Sequence, residues 1–267
     1  MVGCCVSLAP FARGAPPAAP IALKRAPRAF RVAHVLVPLC DNDHQGIVPV
    51  SKTLGDGKDL EKNLYWGAGF GLRTFFRRSP DWRELDVSTK PTSSAVLQRV
   101  AFVRKDVYLV ADAYDGARMD LALEHFARYT AGALAVDVDV TPKKETTTVH
   151  LEAGGRADVI AFVGHDGLMD GPAPVVPATN GDRPSGAVVV ACFSRSWFSP
   201  LLQKAQVPLW VGTTNLLSAE AYSAEAALRA WVDGGKPADM RIAAGKAYAK
   251  YQKITEGSGL GLFSTSP

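Results

Sequence analysis

Short, unbroken apolar runs alternate along this chain with longer stretches whose apolar residues recur every three or four positions. Runs at residues 32–40, 157–163, 186–192 and 207–212 predict buried β-strands. Residues 95–104 and 106–113, split by Arg104-Lys105-Asp106, predict an antiparallel hairpin whose second arm is a central strand. Helical spacing appears at 63–78, 117–131, 196–205, 218–233 and 238–253, the first stretch ending at the stop signal Ser79-Pro80. The polar, β-branched stretch 143–152 predicts an exposed or edge strand. Strands alternating with helices predict an α/β fold, a three-layer sandwich with a mostly parallel sheet. One such domain is expected over residues 32–255, after a Pro/Ala-rich flexible leader at 1–31 and before a frayed tail at 256–267.

Composition narrows the classes. With 267 residues, 47% of them apolar, the chain buries a sizeable core. The net charge of +4 is spread out, and the basic groups (Lys24, Arg25, Arg28 and Arg31; Arg73, Arg77 and Arg78) are not interleaved with aromatics. That argues against a nucleic-acid partner. Cys4, Cys5, Cys40 and Cys192 form no CxxC pair, which argues against zinc and a disulfide framework. No apolar run reaches transmembrane length. Met1-Val2-Gly3-Cys4-Cys5 is similar to the end of a bacterial lipoprotein signal. The chain is expected in the cytoplasm, or exported and lipid-anchored if the true start lies upstream.

The strand ends carry the candidate chemistry. In parallel sheets, ligands gather beyond the carboxyl ends of the strands. Here one buried strand ends on Gly164-His165-Asp166-Gly167 and another on Ala191-Cys192. If those strands are neighbours, an imidazole and a thiol stand side by side, as nucleophilic thiol catalysis requires. The helix predicted just after Cys192, together with Arg195, favours a thiolate and offers free N–H groups to an oxyanion. Asp41, Asp43, Asp112, Asp170, Thr213 and Thr214 fall at or near the same edge and are candidates for substrate binding. Asp41, Asp43, Asp166 and Asp170, lining a pocket at that edge, would suit a basic substrate side chain. A divalent-cation site from Asp41, Asp43 and Asp112 is the weaker alternative, and no metal or cofactor is expected.

An apolar strand ending in histidine, followed by one ending in Ala-Cys, resembles the caspase–gingipain class of cysteine peptidases. Val207 to Asn215 and the two helices after it also look like the closing elements of that class's bacterial members. The resemblance implies adjacent strands, a Cys192–His165 dyad and a peptide or protein substrate. It also implies that Gly167 shapes the histidine turn and offers its N–H to the oxyanion. The chain departs from the family by placing Asp166 between His165 and that glycine. Cys-Asp-Asn-x-x-Gln-Gly-Ile at 40–47 and Gly-His-x-Gly-Leu-Met-Asp at 164–170 resemble segments of a set of bacterial proteins, a likeness that implies no activity.

Two other functions compete with a cysteine peptidase. One is a catalytically inactive, caspase-like α/β binding module. The other is an amidotransferase-like domain, disfavoured because no histidine follows Cys192.

Overall fold

The computed structural model describes residues 29–179 and 181–265. Most of the expected leader, with Cys4 and Cys5, lies outside the described residues. Strand β1 (Arg31–Pro38) is buried along nearly its whole length because it is paired on both sides. Parallel partners flank it, β4 (Val107–Tyr114) on one edge and β7 (Val159–Val163) on the other. Beyond β7 come β8 (Gly186–Val190) and β9 (Leu209–Thr213), again parallel. Every residue of β7 and β8 is buried. Each large apolar side chain there contributes roughly 1.5–3 kcal/mol relative to exposure.

The other half of the sheet runs antiparallel. β3 (Val96–Arg104) forms the expected hairpin with β4, followed across the sheet by β2 (Arg83–Val87), β5 (Ala135–Pro142) and β6 (Val149–Gly154). A two-residue strand, β10 (Phe263–Ser264), closes the opposite edge against β9. The order is β10-β9-β8-β7-β1-β4-β3-β2-β5-β6. The fold is α/β as expected, but its ten-stranded sheet is mixed rather than mostly parallel. The reason is local: β2–β3, β3–β4 and β5–β6 are joined without a helix, and only a longer crossover lets two strands run parallel.

Helices cover both faces. Ala33, Val35 and Val37 of β1 share one core with α1 (Leu72–Arg78), α4 (Ala221–Val232) and α5 (Pro237–Gln252). Val32 and Leu36, pointing the other way, share a second core with α2 (Met119–Thr130) and α3 (Ser194–Ala205). Val138, Val140 and Leu151 from β5 and β6 join that second core, so the antiparallel half curls over α2. The curl brings β6 back to β1, where the Gly154 amide donates to His34 Nδ1 at 2.9 Å.

Some boundaries differ from the sequence reading. The helix expected over 63–78 forms only at α1. The buried Asn63 holds the preceding segment in turns, its amide donating to the Cys40 and Asp56 carbonyls and its oxygen accepting from Cys40 and Tyr65 N–H. The tail expected to fray is ordered through residue 265. Thr255 Oγ1 caps α6 (Glu256–Gly261) by accepting the Ser258 amide at 3.1 Å, and Phe263 is buried. Among the described residues, no helix is long and apolar enough to cross a membrane.

Candidate active site

The parallel ladder fixes where the histidine and the cysteine stand. Val163 pairs with Val190, and the Gly164 amide extends the ladder by donating to the Val190 carbonyl at 3.2 Å. His165 and Cys192 each follow that last pair by two residues. β1 ends beside β7, so Cys40 and Asp41 leave the sheet next to the histidine turn. This is the topological switch point, since β1 has β7 on one side and β4 on the other. Gly164 takes φ +151°, a conformation that side chains disfavour, and a Cβ there would lie 3.1 Å from the Pro38 carbonyl. The Tyr65 ring covers the same corner, and burial, followed by the Cys40 and Cys192 thiols, pushes its hydroxyl pKa up.

His165 is 7% exposed and holds Asp170 Oδ2 with Nε2 at 2.6 Å. The same carboxylate oxygen accepts the Gly46 amide at 3.0 Å, bonding segment 164–170 to segment 40–47. A Cβ at Gly46 would sit 2.3 Å from Asp170 Oδ1 and push that carboxylate aside. Asp166 begins the short 3₁₀ turn Gly167–Met169, its Oδ1 accepting the Leu168 amide at 3.0 Å. Its Oδ2 is buried with no hydrogen-bond partner. Burial raises this carboxyl to about 7, with Asp170 adding to the rise and the Leu168 amide opposing it. The Gly167 N–H, an expected oxyanion donor, donates instead to the His165 carbonyl at 3.1 Å. Met119 packs where a Gly167 side chain would project.

Cys192 is half-buried, its Sγ donating to the Leu217 carbonyl at 3.6 Å. Burial pushes the thiol up, and the nearby Asp166 carboxylate adds to it. The hydrogen bonds of His165 and Cys192 thus run to Asp170 and Leu217 rather than to each other. After Cys192 the chain turns into α3 through Phe193, held at φ +49°. A non-glycine residue in that region costs of order 1–3 kcal/mol and persists only where its surroundings enforce it. Here they do. Ser194 Oγ donates to the Val189 carbonyl at 2.9 Å, the Ser194 amide donates to Thr213 Oγ1 at 3.0 Å, and the Thr213 hydroxyl bonds the Ala191 carbonyl.

The remaining candidates separate. Thr213 belongs to that buried lock, while Thr214 donates from Oγ1 to the Gly261 carbonyl at 2.9 Å. Asp41 folds its own loop, accepting the Asp43 and His44 amides, and shares a cavity of about 440 Å³ with Asp43, Lys52 and Lys58. Asp112 lies inside β4, fully buried against Arg99 and His34, and does not join the strand-end cluster. Among the described residues, no three His, Cys, Asp or Glu side chains converge on a metal position. Sequence reading missed the orienting part played by Asp170, and the exposed Met169, Trp197 and Leu216 on the segments that follow His165, Cys192 and β9. Apolar residues exposed in turns beside reactive ones were the available signal. Comparison with protein-family models, curated proteins and solved structures finds no match.

Proposed function

We propose that this protein is a cysteine-dependent hydrolase of caspase-like type that cleaves peptide bonds, with Cys192 as nucleophile and His165 as proton carrier. The parallel register carries the reading, because it sets the two side chains at equivalent positions beyond adjacent strands. Helices on both faces of the sheet and the strained turn after Cys192 support it. Asp170 occupies Nε2 of His165, leaving Nδ1 as the ring nitrogen that takes the thiol proton. In the first step the S–C bond forms as that proton reaches His165. The C–N bond then breaks as His165 passes the proton to the leaving amine, and water cleaves the thioester. A raised thiol pKa means that the proton leaves during attack rather than beforehand. Exposed Met169, Trp197 and Leu216 suit apolar side chains on the substrate.

The engaged Gly167 amide and the protonated thiol favour one competing reading, a binding module on the same scaffold. A fluorogenic peptide library separates the two. Cleavage that disappears in both Cys192→Ala and His165→Ala supports the hydrolase. Absence of cleavage in the unsubstituted protein, together with ordinary Cys192 alkylation in His165→Ala, supports the module.

A further inference from the structure

A cavity of about 230 Å³ opens between β3, the second half of α2 and the start of β5, away from the strand-end cluster. It offers the space of about eight water molecules at ~30 Å³ each, enough for a small organic molecule. Two arginines, Arg99 and Arg128, line it, and no aspartate or glutamate does. Val96, Leu134 and Val136 supply apolar wall.

Arg99 is held rigidly. Its side chain is 5% exposed, and its Nε and Nη2 donate to the two oxygens of Asp112 at 2.6 and 2.7 Å. That fork fixes the guanidinium plane and leaves Nη1 as the donor for the cavity. Asp112 has a further partner in His34 Nε2 at 3.1 Å. His34 Nδ1 accepts the Gly154 amide, which leaves Nε2 to donate to Asp112. The buried network is complete without Nη1. Asp112 neutralises Arg99, so the net charge of the cavity comes from Arg128. The ion pair of Arg128 with Glu124 at 3.4 Å joins two exposed groups and holds it weakly.

We propose that this cavity binds a small organic monocarboxylate, its head held by Arg99 Nη1 and Arg128 and its apolar body by Val96, Leu134 and Val136. Arg99 Nη1 lies outside the Asp112 fork and Arg128 is held only by the exposed Glu124, so both have donors to offer an anion. The apolar walls select an organic one over an inorganic ion. The site is independent of Cys192.

Fluorine NMR of the full chain with para-fluorobenzoate tests this, with isovalerate as a competing second acid. The uncharged match is para-fluorobenzamide, and inorganic phosphate is the bare anion. Saturable millimolar or tighter binding is expected, weakened at least about tenfold in Arg128→Gln, where the lost contact is worth about 1.4 kcal/mol. Val136→Trp, which fills the cavity, should abolish binding. Arg128 lies on an exposed helix surface, so that variant reports even if Val136→Trp fails to fold. Failure of both acids to bind overturns the proposal. So does unchanged affinity in Arg128→Gln, or binding of the amide or phosphate as tight as that of the acid.

Discussion

Asp170 grips the His165 ring with the same carboxylate oxygen that accepts the Gly46 amide, at 2.6 and 3.0 Å respectively. One side chain therefore couples the turn after β7 to the loop after β1. The orientation of the imidazole depends on a glycine well over a hundred positions earlier in the chain.

Gly46→Ala tests that dependence. Its new Cβ would meet Asp170 Oδ1 at 2.3 Å, so the carboxylate must turn away. On the proposed cysteine-hydrolase reading, peptide hydrolysis should fall by up to about 100-fold, the cost of a misplaced catalytic group. The thermal midpoint should move little, because Gly46 is exposed. Full activity in this variant would remove Asp170 from the mechanism.

Alkylation of Cys192, followed peptide by peptide by mass spectrometry, reads its thiol. The rate at neutral pH should lie well below that of free cysteine and should still be climbing above 9.0. Asp166→Asn removes the neighbouring charge and should speed the neutral-pH reaction. Cys40, fully buried and pushed up to about 12, should stay unmodified.

Asp166 also links stability to pH. Its carboxyl titrates near 3.8 when unfolded and at about 7 when folded, so between these values the folded chain keeps a proton that the unfolded chain has lost. Stability from this group therefore declines as pH rises from 3.8 to about 7, and the full penalty remains above that. Asp166→Asn keeps an oxygen for the Leu168 amide and loses the titration. Urea unfolding near neutral pH should show it more stable by roughly 1–4 kcal/mol, with a flatter pH profile. An equal or steeper profile would contradict the assignment.

Asp112 works in the opposite sense. Despite complete burial, the Arg99 fork and His34 hold its carboxyl down at about 2. Its contribution is present above 3.8 and is lost as pH falls through about 2. Asp112→Ala strands the Arg99 charge in the core and should cost about 3–5 kcal/mol. Pairing Asp112→Leu with Arg99→Met should recover most of that loss in the same unfolding assay.

Much of this was legible in the sequence, by different routes. β7 and β8 are unbroken apolar runs because both their faces are covered. Sequence reading missed the Arg99–Asp112 pair by placing Asp112 at a strand end, although the hairpin carries it. A tight turn at Lys105-Asp106 sets Arg104 opposite Val107, and counting back along both arms puts Arg99 opposite Asp112. Strand β5 carries plain alternation in Val-Asp-Val-Asp-Val, whereas β2 is five residues, mostly polar, and owes its place to partners on both sides. The bond between Asp170 and Gly46 is tertiary, and no local pattern encodes it. The order of the tail likewise depends on burying Phe263 against α5 and β9.

The central position of β1 has a cost during synthesis. It is the first strand in chain order, yet its partners β4 and β7 begin only at residues 107 and 159. At ~5–20 residues per second, about 6–25 s pass between the emergence of Pro38 and that of Val163. The apolar segment waits on the ribosome with two open edges until β4 is made, and with one until β7 follows. Stalled chains ending before residue 159 should bind a hydrophobic dye, and chains extended past β8 should release it. Aggregation is therefore contested while the chain is still being made, by whichever chaperone reaches Val32–Val37 first.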